Sequence, residues 1–118
     1  MRLPATALLL TAALLSTPAL ATPDDSTEDA AVRKPLQAYL QGHASGDGAY
    51  IRQAFLPSAH IEGIRDGKFL SWTAEEYIAG FKGSPPTDEA QRKRRIDSVD
   101  VNGTAAMARV TLDYPSGT

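Results

Sequence analysis

His60 and Glu62, in the run LPSAHIEGIRDGKFLSW, stand two positions apart in a stretch that reads as a strand, so their side chains share a face. An imidazole next to a carboxylate is a pairing that general acid–base catalysis uses. The same pair also fits a metal site or an ordinary contact on a sheet surface. A metal would need further ligands, and the only other histidine, His43, is separated by a whole helix. No metal site is therefore expected. The chain has no cysteine, and neither a phosphate-binding loop nor a nucleophile motif accompanies the pair.

A second set of residues offers binding chemistry. Tyr39, Phe55, Trp72, Tyr77, Phe81 and Tyr114 supply flat apolar surfaces, several with polar tips, suited to a planar ligand. Aromatic residues at core spacing also serve plain packing, so both readings stand. His43 has two readings as well: a hydrogen bond to a loop carbonyl that fixes the turn at GHASGD, or a place on a pocket wall.

Positioning these groups falls to a short series of elements. Ser26 is placed to cap a first helix, with Glu28 and Asp29 favouring the positive end of its dipole. Val32, Leu36, Tyr39, Leu40 and His43 recur at helical spacing along one face, and Pro35 predicts a kink or a later start. Gly46-Asp47-Gly48 marks a turn into a short helix from Ala49 to Phe55. His60 to Arg65 and Lys68 to Trp72 read as a hairpin turning at Asp66-Gly67. Thr73 and Glu76 then form a capping-box pair for a third helix. Ile96 to Val101 and Thr104 to Tyr114 read as a second hairpin turning at Asn102-Gly103. In its second strand Ala106, Ala108, Val110, Leu112 and Tyr114 face one way, and Met107, Arg109, Thr111 and Asp113 the other. The basic run QRKRR, preceded by Asp88 and Glu89, reads as a solvated strand start.

The N-terminus reads as a secretory signal peptide over residues 1–21: a basic start, the apolar LPATALLLTAALL, and small residues up to Ala21. The apolar run is shorter than the ~20 residues needed to span a bilayer. A periplasmic or secreted location follows, with cleavage after Ala21 and no membrane association afterwards. Residues 22–27 read as a linker and 28–118 as one small domain. The net charge of −2 argues against a nucleic-acid partner bound through its phosphates. Without disulfides, stability must come from the core and an oligomer interface.

The stretches VRKPLQAYLQGHASGD, AFLPSAHIEGIRDGKFLSWTAEEYIAGF and RRIDSVDVNGTAAMARVTLDYPSGT resemble the exported bacterial branch of the nuclear transport factor 2-like superfamily known as putative lumazine-binding proteins. The resemblance implies an α+β, cone-shaped fold with N-terminal helices packed on a curved, mainly antiparallel sheet around a pocket. Such proteins continue past the DYP stretch into two more strands, so the expected fold is cut short at the C-terminus. Where relatives often read His-Pro-Asp-Ala, this chain reads LPSA at Leu56 to Ala59.

The superfamily also contains ketosteroid isomerase-like and SnoaL-like enzymes. Laid along AYLQGHASGD, the isomerase's oxyanion-donor tyrosine falls on Tyr39, and its general-base aspartate on Gly63, which has no proton-accepting side chain. Because that base points into its pocket, Ile61 and Gly63 are expected on the pocket face with Tyr39, Phe55, Trp72, Tyr77, Phe81 and Tyr114. His60, Glu62 and Arg109 are then expected on outer sheet faces, at a homodimer interface. The resulting expectation is an exported protein that binds a small, heteroaromatic molecule without a cofactor. The alternative is an isomerase, cyclase or hydrolase drawing on Tyr39, Asp97 or an acid or base elsewhere.

Overall fold

The computed structural model describes residues 25–116; the expected signal peptide lies outside them. Helix α1 spans Asp25–Ser45. It is continuous through Pro35, although proline has no N–H for the intrahelical ladder. Ser26 lies inside its first turn, not at the cap position. At the other end, Gly46 adopts φ +71° and donates its N–H to the Gly42 carbonyl at 2.9 Å, closing the helix. Asp47 then caps α2 (Gly48–Ala54) by accepting the Ala49 N–H at 2.8 Å.

Helices α1 and α2 pack closely because Gly42 has no side chain. A Cβ there would lie 2.4 Å from Cδ1 of Ile51, a fully buried side chain. The turn between the helices is fastened from outside, where Gly46 accepts the Gly83 N–H at 2.8 Å.

β1 (His60–Arg65) and β2 (Lys68–Thr73) form an antiparallel hairpin. Asp66 and Gly67 both take positive φ, 52° and 75°, which is the I′ arrangement expected of Asp-Gly. α3 (Ala74–Ala79) follows directly, opened by a reciprocal capping box: Glu76 N–H to Thr73 Oγ1 at 3.2 Å, and Thr73 N–H to Glu76 Oε2 at 2.8 Å. A 3₁₀ turn, Glu89–Gln91, leads into β3 (Lys93–Asn102), which pairs antiparallel with β4 (Ala105–Asp113). The turn is Gly103-Thr104, one residue later than Asn-Gly predicts, with positive φ at Gly103 alone among the two.

Asp97 is the extra residue of a β-bulge, with Ile96 opposite Val110 and Ser98 opposite Arg109. The bulge has a clear effect on side-chain direction. Arg94 and Ile96 face inward on even positions, whereas Val99 and Val101 do so on odd ones. One inserted residue lets both halves of β3 present side chains to the same interior.

The expected cone-shaped, curved sheet is not found. The α+β class holds, with helices packed on an antiparallel hairpin, but the strands form two separate two-stranded sheets, β1–β2 and β3–β4. Among the described residues each strand pairs only with its hairpin partner, and residues 74–92, carrying α3 and the 3₁₀ turn, separate the two pairs. A sheet curves around helices through many strands sharing one ladder, and two strands cannot enclose a core.

Candidate functional site

The packing of α1, α2 and β4 leaves a cleft of about 380 Å³. α1 contributes Val32, Pro35, Leu36 and Tyr39, one stripe at helical spacing. β4 contributes Ala106, Ala108 and Val110, alternate residues of one face. Ala54 and Phe55, at the end of α2, complete the lining. The alanines of β4 are what leave room, because larger side chains at 106 and 108 would fill the gap between strand and helix.

Behind Tyr39 the cleft is backed by a continuous aromatic cluster. The Tyr39 ring meets Phe55 edge-on, centroids 5.8 Å apart, and meets His43 in the same way at 4.6 Å. Tyr77 is the centre of the cluster, with Phe81 at 5.5 Å, Phe55 at 6.0 Å and Trp72 at 6.0 Å. Such pairs contribute about 0.5–1.5 kcal/mol each beyond the area they bury. The helical spacing of 39 and 43 on α1, and of 77 on α3 with 81 just beyond its end, brings four of these rings together.

A chain of polar contacts threads the rings. The Tyr39 and Tyr77 hydroxyls are 3.4 Å apart, and Tyr77 Oη lies 2.9 Å from His43 Nε2. On the other side of the imidazole, Nδ1 is 3.4 Å from Tyr114 Oη. Arg94 Nε donates to that same oxygen at 3.1 Å, and Arg94 Nη2 donates to the His43 carbonyl at 3.3 Å. Glu89 holds the guanidinium with two contacts, 2.5 and 2.8 Å. The Arg94 side chain is only 8% exposed, so this bidentate pair is largely shielded from water. Arg92 lies over the Tyr114 ring, 4.2 Å from its centroid, and pairs with Asp88 at 2.7 Å.

The electrostatic consequences follow from burial and the two cations. Burial, reinforced by Arg94 and Arg92, lowers the His43 pKa to about 4, so the ring is neutral at neutral pH. Burial also raises both Tyr39 and Tyr77, and these hydroxyls stay protonated. Hydrogen bonding to Glu89 raises Arg94, and hydrogen bonding to Arg94 lowers Glu89. The arrangement is a protonated, neutral relay beside an ion pair. It can orient and donate a hydrogen bond.

Of the residues singled out from sequence, Tyr39 and Phe55 line the cleft. Tyr77, Trp72 and Phe81 form the cluster behind it, and Tyr114 joins through His43. Ile61 and Gly63 lie on β1 opposite Trp72 and Leu70 and are not among the residues lining the cleft. A Cβ on Gly63 would meet nothing within 4 Å. Asp97, in the bulge, is bound by Arg95 Nε at 2.7 Å and by the Thr111 hydroxyl, and these contacts lower its pKa, Thr111 first. Thr111 projects from the face of β4 opposite Val110, so Asp97 faces away from the cleft. His60 and Glu62 are exposed on the outer face of the first hairpin, with Ser71 donating to Glu62 at 3.4 Å. Arg109 is exposed on the outer face of the second.

The basic run is where the sequence reading fell short. QRKRR reads as solvated, yet Arg92 and Arg94 turn inward while Lys93 and Arg95 stay exposed. The signal was present in the alternation itself, together with Asp88 and Glu89 one helical turn upstream. His43 likewise bonds two tyrosine hydroxyls through its ring, and it is the backbone carbonyl of His43 that accepts from Arg94.

Among the described residues no cluster of three or more histidine, cysteine or acidic side chains is placed to hold a metal, and no helix is long and apolar enough to cross a membrane. Among curated proteins, none matches the chain. Two crystal structures resemble it. A nuclear transport factor 2-like protein of unknown function from Shewanella baltica OS155 shares 27% identity over 81% of this chain and 77% of that one, with a TM-score of 0.69. Another from Silicibacter pomeroyi DSS-3, at 24% identity over 79% and 77%, has a TM-score of 0.66 and supports the fold alone. Residues 27–118 match the family described as putative lumazine-binding. With that match running from the first turn of α1 through β4, the chain belongs to the putative lumazine-binding family and has the nuclear transport factor 2-like fold.

Proposed function

We propose that this is an exported protein whose cleft between α1, α2 and β4 binds a flat, largely apolar, heteroaromatic molecule without transforming it. The observation that carries this reading is the cleft: about 380 Å³, walled by aliphatic side chains and three alanines, with the rings of Tyr39 and Phe55 on its border. That size suits a small bicyclic molecule, and aromatic walls with few polar groups are the usual composition of such sites. The family description points the same way by naming a pterin-like compound. Export rests on the apolar N-terminal segment ending in small residues at Ala21. Pairing of two copies through outer sheet faces, involving His60, Glu62 and Arg109, is supported by exposed apolar residues beside them: Ile64 at 70%, Phe69 at 64% and Met107.

Enzymatic acid–base chemistry has less support, because the position equivalent to the isomerase base is Gly63 and Asp97 faces away from the cleft. Calorimetric titration with lumazine tests the binding reading. Saturable binding that weakens by about tenfold or more in Ala108→Phe, which fills the cleft, is the expected result. Equal affinity in the two proteins would place the ligand elsewhere, and no binding of lumazine would remove it as a representative ligand.

A further inference from the structure

We propose that Asn102, at the tip of the β3–β4 hairpin, is an acceptor for N-linked glycosylation within the run Asp100-Val101-Asn102-Gly103-Thr104. The inference goes beyond ligand binding and rests on the export reading alone, because oligosaccharyltransferases act on chains that have crossed a membrane.

The geometry of the turn removes the ordinary explanation of Asn102. Asn-Gly is a hairpin signal because asparagine tolerates positive φ, a tolerance that Asp66 uses in the first hairpin at φ 52°. In the second hairpin the central turn residues are Gly103 and Thr104, and Asn102 is the last residue of β3, in register with Ala105. Positive φ falls on Gly103, at 59°, which is the arrangement of a turn with glycine at its first central position. Among the described residues Asp66 is the one non-glycine residue with positive φ, so asparagine's special backbone freedom is not used at 102. A strand end does not call for asparagine either, since strands disfavour it.

What the position offers is an accessible amide with the right neighbours. Asn-x-Thr with x other than proline is the acceptor pattern of N-glycosylation, and it requires a surface site on an exported chain. Alternation along β3 puts Asp100 and Asn102 on its outer face, and both are exposed, as are Gly103 and Thr104. A Cβ on Gly103 would meet nothing within 4 Å, so open space borders the tip. Among the described residues, the side chains of Asp100, Asn102 and Thr104 enter no hydrogen bond or ion pair. Amide, hydroxyl and carboxylate are all open to an enzyme.

The donor is an oligosaccharide joined through a diphosphate to a polyprenol. Asn102 Nδ2 attacks C1 of the first sugar: the C1–Nδ2 bond forms and the C1–O bond to the diphosphate breaks. Polyprenyl diphosphate leaves with the electron pair, and one Nδ2 proton passes to a base of the transferase. The Thr104 hydroxyl is the recognition group two residues on. Asp100, two residues before, gives an arginine of the transferase a carboxylate to hold, the acid that bacterial-type transferases read at this position. A glycan there leaves the cleft open, because Asn102 is not among its lining residues. Met107 and Arg109 lie further from the turn.

Purified folded protein is incubated with a bacterial single-subunit oligosaccharyltransferase, Mn²⁺ and an undecaprenyl-diphosphate-linked oligosaccharide, and intact mass is read. The wild type should gain one glycan, placed on Asn102 by peptide mass spectrometry. Asn102→Gln and Thr104→Val should gain none, Thr104→Ser should keep the transfer, and Asp100→Asn should slow it by about tenfold or more. An unmodified wild type, beside a peptide Asp-Val-Asn-Gly-Thr that accepts the glycan, shows that the folded hairpin withholds the site and overturns the proposal. Equal transfer to Asp100→Asn removes the role given to Asp100. In cells carrying the transferase, N-terminal sequencing reports export separately. A chain that starts at Thr22 yet bears no glycan overturns the site, whereas a chain that retains Met1 refutes export, and glycosylation in the cell falls with it.

Discussion

Acidification tests the part-buried histidine, His43, directly. The unfolded chain takes a proton on His43 near its ordinary value of 6.5, whereas the folded protein refuses it until about pH 4. Because the folded value is depressed, the contribution is fully present above 6.5 and is lost as pH falls through 6.5 towards 4. Linkage puts the loss between pH 7 and pH 5 at about 2 kcal/mol. The ring is only part-buried, so solvent screening reduces the expected loss to about 1 kcal/mol. Among the groups facing it, Arg94 and Arg92 oppose a positive ring and Glu89 favours one but is tied to Arg94; Tyr39 and Tyr77, whose values are raised, stay uncharged, and Tyr114 meets the ring through its hydroxyl. Carboxylates whose values are lowered, among them Glu89 and Asp97, lose their contributions only at more acid pH, outside this window. Urea titrations at pH 7 and pH 5 give the loss directly, and His43→Gln, which keeps a donor near Tyr77, removes the titrating group. The wild type should lose about 1 kcal/mol more than His43→Gln, equivalent to roughly 4–8 °C in Tm for a domain of this size. Equal losses in the two proteins would refute the placement of a neutral, partly buried imidazole against two guanidinium groups.

Two further outcomes test the frame around the site. Gly46→Ala forces a side chain into positive φ and sets its Cβ 1.9 Å from the Ser84 carbonyl oxygen, so the contact with Gly83 should be lost and stability should fall by about 2–4 kcal/mol in urea unfolding. A loss below 1 kcal/mol would show that the 83–84 loop is not fastened there. Thr73→Ala removes the hydroxyl of the capping box and should cost about 1 kcal/mol by the same assay, with amide exchange quickening in α3; unchanged exchange would count against that cap.

Much of this architecture is local and was therefore legible. Asp66-Gly67 tolerates positive φ at both positions, so the first hairpin and its register follow from two residues. Thr73 and Glu76 contain their own cap, and the alternation of Ala106, Ala108 and Val110 assigns the cleft-lining face of β4 before any partner is known. The rings at 39, 55, 72, 77 and 81 were recognisable as one set because apolar spacing on short elements leaves few other places for them.

Tertiary structure decided what depends on contacts between distant segments. Whether two hairpins share one ladder is a question of strand pairing across residues 74–92, and sequence patterning does not encode which edge meets which. The extra residue at Asp97 reverses the inward parity of β3, a shift invisible until the partner strand is in place. Arg94 is the clearest case. A basic run is ordinarily solvated because exposing charge avoids desolvation, and only the folded chain brings Glu89, Tyr114 and the His43 carbonyl together to compensate a nearly buried guanidinium. By itself, the sequence determined the elements, the capping box at Thr73 and Glu76, and the candidate rings. The setting of Arg94 behind the cleft belongs to the fold, because its guanidinium meets the His43 carbonyl from 51 positions away.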